Sequence, residues 1–259
     1  MADPLAELRE AILSTATESS PHLVHLDVNR EARTGVPEIV MVAGKDHATV
    51  LAITQTLLDE RGRAILSRTR PAMIRALKDH FVDYRVEEYP RARMAVIKRP
   101  DVLPRPTGGS VGIVTAGTSD APYAEQAQIV AQEMGCETSI IYDVGVAGLH
   151  RLVQPLNRLL EDRVDVIVVA AGMDGALPSV IAGLVDVPVV GLPTSTGYGF
   201  GGRGVAALLS MLQTCVPGLT VVNVDNGVGA GASAALIANR IAAARHEHPN
   251  SNGQSPSPA

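Results

Sequence analysis

The chain has 259 residues, 46% hydrophobic and 19% charged, which suffices for one large domain or two small ones and rules out wholesale disorder. Trp is absent and aromatics make up 3%, poor material for stacking single-stranded nucleic acid, while two cysteines, Cys136 and Cys215, are too few for a disulfide framework or a thiolate metal cage. The net charge of −5 is uneven: up to Gly108 the chain holds 16 Lys+Arg and 15 Asp+Glu, and after it 6 and 12, so a polar module precedes a drier core.

In chain order, Leu5, Leu8, Ile12 and Leu13 share one face of a helix expected over residues 5–18. Asp27 to Glu38 is polar and turn-rich. Ile39–Ala43 and Ala64–Ser67 read as strands, with helices over Ala48–Leu58 and Met73–His80 and further strands at Tyr84–Tyr89 and Ala92–Ile97. Residues 1–108 thus form a small α/β module. It ends in a linker, Pro100 to Gly109, marked by Pro104, Pro106 and the pair Gly108-Gly109.

From Ser110 the pattern is regular. Apolar runs at Val111–Thr115, Thr138–Tyr142, Val164–Ala170, Pro188–Leu192 and Thr220–Val224 read as strands buried on both faces. Helices are expected at Asp120–Met134, Leu149–Asp162, Gly175–Leu184, Val205–Thr214 and Ala230–Arg245. Strands alternating with helices predict a three-layer α/β domain over 109–245, with a parallel sheet of flavodoxin-like or Rossmann-like topology. Residues 246–259 read as a disordered polar tail. No apolar run is long enough to span a bilayer and no basic-then-apolar segment opens the chain, so a cytoplasmic protein without a membrane or nucleic-acid partner is expected.

Open parallel sheets bind ligands where strands end and helices begin, and each such loop here carries polar or glycine-rich chemistry. After the first strand come Gly117, Thr118, Ser119 and Asp120, whose free amides suit a phosphate, although Ser119 or Asp120 as an N-cap would satisfy the same amides. After the second, Asp143 is a candidate acid or base beside Gly145, with His150 and Arg151 placed to contact an anion; a turn cap and a solvated helix start are the plain alternatives. Gly172, Met173 and Asp174 follow the third strand. Thr194 and Ser195 open the glycine-rich loop Pro193–Gly202 after the fourth, and Asp225-Asn226-Gly227 follows the fifth. Cys215 stands apart, where a helix ends before the fifth strand. A lone Cys is ordinarily a small buried hydrophobe, and a helix C-terminus disfavours a thiolate, so a nucleophile here requires something cationic to offset the helix end, the substrate being one source.

Together these loops resemble the AIR carboxylase (PurE) superfamily, and more closely its LarB branch. The LarB-like segments are TAGTSD at Thr115–Asp120, YDVGVAGLHR at Tyr142–Arg151, AGMDGALPSV at Ala171–Val180, GLPTSTGYG at Gly191–Gly199, LLSMLQTCVPG at Leu208–Gly218 and VNVDNGVGAG at Val222–Gly231. In front, Leu26–Lys45 is similar to the LarB N-terminal signature. Asp174 stands where LarB proteins usually have Glu, and Gly148-Leu149-His150-Arg151 replaces the Ser-Ala-His-Arg loop of PurE enzymes proper.

The resemblance implies pyridinium-3,5-biscarboxylic acid mononucleotide synthase, the first step of nickel-pincer cofactor synthesis. Its substrates would be nicotinic acid adenine dinucleotide and carbon dioxide or bicarbonate, with magnesium present. It further implies Cys215 as nucleophile, Asp174 and Asp143 as catalytic carboxylates, and a homo-octamer. Arg30, Arg33 and Lys45 of the N-terminal signature are expected to bind the dinucleotide, with the module serving the substrate instead of holding the core together. The rivals are a PurE-type enzyme acting on aminoimidazole ribonucleotide, which needs no thiol, and a nucleotide-binding module without turnover. The topology also predicts that Cys215 and the loop carboxylates lie at opposite edges of the sheet within one subunit.

Overall fold

The computed structural model describes residues 26–247, so the helix expected over 5–18 and the tail beyond Glu247 lie outside the described residues. The first part runs α1 (Arg30–Thr34), β1 (Ile39–Met41), α2 (His47–Arg61), β2 (Arg63–Ser67), α3 (Pro71–His80), β3 (Arg85–Tyr89) and β4 (Met94–Lys98). Its sheet has the order β1-β2-β4-β3, with β1 parallel to β2 and the other pairs antiparallel. The stretch expected to be turns holds the short α1, which stops at Gly35 in a left-handed conformation. Helix α2 starts where the Asp46 carboxylate accepts the Thr49 N–H at 2.7 Å. It buries Val50, Ile53, Leu57 and Leu58 against Leu66, Ala95 and Ile97.

The second part runs β5 (Ser110–Thr115), α4 (Ala121–Glu133), β6 (Glu137–Ile141), α5 (His150–Glu161), β7 (Val166–Ala171), α6 (Leu177–Ala182), β8 (Val189–Pro193), α7 (Val205–Leu212), β9 (Leu219–Val221) and α8 (Gly227–Glu247). All pairs in its sheet are parallel, in the order β6-β5-β7-β8-β9. The alternation of side chains along β7 shows how both faces are used. Val166, Val168 and Ala170 pack with the alanines of α4 and α8, whereas Ile167, Val169 and Ala171 pack under α5, α6 and α7. The order reverses direction at β5, so the ends of β5 and β7 bound the crevice in which such sheets place ligands.

Burial on both faces holds for β5, β7 and β8 and fails at the two edges. β6 and β9 are half-buried, because each has one neighbouring strand. Helix α6 is shorter than expected: Gly175 takes a left-handed φ of 61° and delays its start. Helix α8 is longer, beginning at Gly227 and continuing through His246 and Glu247, two residues expected in the tail. No described helix is long and apolar enough to cross a membrane.

The two parts share a core, which corrects the expectation that the first module does not hold the molecule together. Ile65, Met94 and Val96 of the first sheet lie in one apolar cluster with Ala124, Val130, Ala234 and Ala238 of α4 and α8. The layers therefore run α2 and α3, first sheet, α4 and α8, second sheet, then α5 to α7. At one end of this interface Glu133 is buried and receives Lys98 Nζ at 2.6 Å and Arg63 Nη1 at 3.2 Å. Arg63 also pairs with Glu31 at 2.6 Å. The linker is pinned there as well: Thr107 donates its N–H to Gly135 O at 3.0 Å, and Arg245 donates to Gly108 O at 3.1 Å.

Candidate active site

Asp120 is the hub of the rim. It ends a short 3-10 turn, Thr118–Asp120, and is buried although charged. Its Oδ2 accepts the Gly117 N–H at 2.8 Å, and its Oδ1 accepts the hydroxyls of Thr194 and Thr196, each at 2.6 Å. The two hydroxyl oxygens lie 2.7 Å apart, so three oxygens form a triangle in which two hydroxyl protons are shared. Thr194 and Thr196 follow directly on β8, and both hydroxyls turn to the one carboxylate. Thr196 was not singled out by the sequence reading; its spacing from Thr194 is the signal that would have found it. Asp225, read as a turn residue, is a second omission: its Oδ1 accepts the Ser195 N–H at 2.7 Å. Tyr123 of α4 is a third, with its hydroxyl 3.4 Å from Ser195 Oγ.

The loop after β7 is wedged against this hub. A Cβ on Gly172 would stand 2.1 Å from Thr196 Oγ1 and 2.2 Å from its carbonyl oxygen, and one on Gly175 would stand 2.7 Å from the backbone of Ala207. Met173 donates its N–H to Thr196 O at 3.0 Å with a left-handed φ of 51°. Asp174 is thereby carried between two fixed points. It is exposed, and among the described residues no partner holds its carboxylate.

Asp143 is differently placed. It also adopts a left-handed φ, of 59°, and its N–H donates to the buried Thr115 Oγ1 at 3.0 Å. Arg151 donates to its carbonyl at 2.7 Å and to its carboxylate at 2.9 Å. Asp225 shares the same φ, so three of the five strand-end loops hold an aspartate or methionine in a conformation that costs a non-glycine residue free energy. Such strain concentrates where a site needs groups held in set positions. Gly145 brings its loop against the Ala116 carbonyl, and Thr118, Ser119 and His150 are exposed along the same rim.

The structure thus gathers Gly117, Thr118, Ser119, Asp120, Asp143, Gly145, His150, Arg151, Gly172, Met173, Asp174, Thr194 and Ser195 at one edge. Cys215 is not among them. It is exposed in the connection from α7 to β9, where Gly218 O accepts the Val189 N–H at the start of β8. The thiol and the rim are separated by the length of a five-residue strand, roughly 16 Å. Arg30 and Arg33 lie on α1, at the Arg63–Glu133 end far from the rim, paired with Glu38 and Asp27. Lys45 follows β1 at the rim end. Cys136 is buried; desolvation pushes its thiol up to about 11, which keeps it neutral and inert.

Among the described residues no three His, Cys, Asp or Glu side chains converge as a metal-binding group. The described residues do not fit a protein-built metal centre, and the chemistry set out below is carried by this chain's own side chains.

The AIR carboxylase family model matches residues 110–254, the part that forms the parallel sheet and its rim. The chain belongs to the AIR carboxylase family. In front of this domain, a LarB/PurE-like N-terminal domain model matches residues 19–99. An uncharacterised protein of Methanocaldococcus jannaschii is 43% identical over 90% of this chain and 91% of its own length. An N5-carboxyaminoimidazole ribonucleotide mutase of the same organism is 32% identical over 52% of this chain and 80% of its own. That of Pyrococcus abyssi is 33% identical over 51% of this chain and 72% of its own. A crystal structure of a Treponema denticola PurE2 variant covers 58% of this chain and 99% of its own, at 19% identity and a TM-score of 0.38. These relatives named as mutases match about half of this chain, whereas the uncharacterised Methanocaldococcus protein matches 90% of it and so reaches into the N-terminal module.

Proposed function

We propose that this AIR carboxylase family member is a LarB-type enzyme. It carboxylates the pyridinium ring of nicotinic acid adenine dinucleotide and hydrolyses the phosphoanhydride, releasing AMP and pyridinium-3,5-biscarboxylic acid mononucleotide. The observation that carries this reading is the coupling of an AIR carboxylase domain to a LarB/PurE-like N-terminal domain in one packed molecule. The exposed Cys215, in a segment similar to the LarB motif, supports it.

The pyridinium carbons are electron-poor and do not attack carbon dioxide unaided. The Cys215 thiolate adds to the ring carbon beside the 5-position, and the ring's electron pair moves towards nitrogen. The neutral dihydropyridine is enamine-like, so its 5-position forms the new C–C bond with carbon dioxide. A base then takes the proton from that carbon, sulfur leaves with its bonding pair, and aromaticity returns. Water finally displaces AMP from the phosphoanhydride.

Asp174 is the acceptor best suited to the proton. Asp120 is committed to three hydrogen bonds and Asp143 to Arg151, whereas Asp174 is exposed on a fixed loop. Because Cys215 sits at the opposite edge, a neighbouring subunit supplies it in this reading. The exposed apolar stripe Val205, Leu209 and Leu212 along α7, with Tyr198 and Phe200, supports a subunit contact beside the rim. A homo-octamer follows from the family resemblance.

A second reading, an N5-carboxyaminoimidazole ribonucleotide mutase, is favoured by the relatives that match the rim domain. One experiment separates the two. The full chain is incubated with bicarbonate and magnesium, and with either nicotinic acid adenine dinucleotide or N5-carboxyaminoimidazole ribonucleotide. Release of AMP with a product heavier by one carboxylate is expected from the dinucleotide. Turnover of the ribonucleotide alone would overturn the proposal, and binding without turnover of either would identify a nucleotide-binding module.

A further inference from the structure

A dinucleotide brings two phosphate charges, yet residues 109–245 contain six Lys and Arg. Arg158 and Arg163 lie at the far end of α5, and Arg240 and Arg245 in the last turns of α8, at the edge opposite the rim. Arg151 is paired with Asp143, which leaves Arg203. The rim domain by itself is short of cations for its substrate.

The charge is on the first sheet. Its β2–β4 ladder ends with Ser67 opposite Met94, and just beyond it Arg68 and Arg93 both leave the extended backbone with left-handed φ values of 57° and 53°. Thr69 donates its N–H to Arg93 O at 2.8 Å and closes this corner. Both arginines are exposed, and among the described residues neither pairs with a carboxylate. Like charges gathered at one corner repel, and among the described residues the guanidinium hydrogen bond there is that of Arg93 Nε to Thr69 O, at 3.5 Å. Lys45 belongs to the neighbouring loop, in which Val42 N–H donates to Ser67 O at 3.0 Å, and Arg70 directly precedes α3. The acidic groups close by are already engaged. Asp46 caps α2 through Thr49, and Glu125 takes Arg91 at 2.9 Å and the Tyr142 hydroxyl at 3.1 Å.

This corner adjoins the rim. Gln126 of α4 donates to Ala92 O at 2.9 Å, next to Arg93. Tyr123 lies three residues earlier on the same helical face, about 4.5 Å along the axis, and its hydroxyl meets Ser195. The path from Ser195 to Arg93 therefore crosses little more than one turn of α4.

We infer that Arg68 and Arg93, with Lys45 and Arg70 beside them, receive the two phosphates of the phosphoanhydride of a substrate whose reacting ring lies at the rim. The inference rests on the dinucleotide reading and replaces Arg30 and Arg33 as its phosphate contacts. Arginine suits the role because its planar fork matches phosphate oxygens.

The test uses the full chain, with ADP as the binding probe and the dinucleotide as substrate. Arg68→Gln/Arg93→Gln is compared with Arg68→Lys/Arg93→Lys, which keeps both charges, and with Arg75→Gln on the exposed face of α3. Circular dichroism establishes that each variant is folded. ADP affinity measured by calorimetry is expected to fall at least about tenfold in the double glutamine variant, to stay within about threefold in the lysine variant, and to be unchanged in Arg75→Gln. The dinucleotide KM should rise by a similar factor with kcat within about twofold. Wild-type affinity in the glutamine variant, or no ADP binding by the wild type, overturns the inference. If the wild type binds ADP through these arginines but turns over no dinucleotide, the enzymatic reading falls and the anion site stands.

Discussion

Gly172 shows how much one missing side chain decides at the rim. A methyl group there would stand 2.1 Å from Thr196 Oγ1, so Gly172→Ala must push the Asp174 loop away from Thr194 and Thr196. Overpacking of this kind costs about 1–3 kcal/mol, and a displacement of about 1 Å in a catalytic group lowers rate on the order of a hundredfold. Urea unfolding should therefore report a modest loss of stability, and the dinucleotide assay a far larger loss of kcat. The two cysteines give a second prediction at this scale. Iodoacetamide at pH 8 should label the exposed Cys215 rapidly and leave Cys136 intact, since burial raises the Cys136 thiol to about 11 and its S–H meets Asn239 Oδ1 at 3.1 Å. Mass mapping that finds Cys136 modified first would contradict this. The aspartates at the strand ends were legible as residue types at turns. Their different duties were not, because partners such as Arg151 for Asp143 and two threonines for Asp120 are set by tertiary contact.

At the scale of elements, the order of strands and helices was legible because central parallel strands are continuous apolar runs and helices carry a different period. The ends were less so. Val222–Val224 read as part of the fifth strand, yet β9 stops at Val221 because an edge strand has one neighbour to define it. Helix α1 was missed because its five residues bury nothing and leave no apolar period to read. Helix α2 offers a test of local capping. The Thr49 N–H and hydroxyl hold the Asp46 carboxyl below its ordinary 3.8. A carboxyl depressed in the folded state stabilises above its unfolded value, and that contribution is lost as pH falls through the folded one. Asp46→Ala should therefore lower Tm at pH 7, with the gap to wild type closing as pH drops below 3.8. A gap independent of pH would assign the loss to something other than the charge.

For the whole molecule, the pairing of two sheets through one helical layer was the least legible feature. The alanines of α4 and α8 pack against both sheets, and nothing in their pattern says that a second sheet covers them. Burial of Ile65, Met94 and Val96 contributes at most roughly 1.5–3 kcal/mol each, a large share of the 5–15 kcal/mol typical of a domain. A chain beginning at Gly109 is accordingly expected to aggregate, or to bind a hydrophobic dye strongly, and a soluble monomer of native stability would refute the shared core.

The central claim concerns two groups that one subunit keeps apart, the carboxylate of Asp174 at the rim and the thiol of Cys215 at the opposite edge. Cys215→Ala and Asp174→Ala should each be inactive as pure oligomers. Mixed after dissociation and reassembly, they should recover a fraction of wild-type AMP release and carboxylation, because some interfaces then combine an intact thiol with an intact rim. Activity absent from verified mixed oligomers, or full activity in a monomer, would contradict the account.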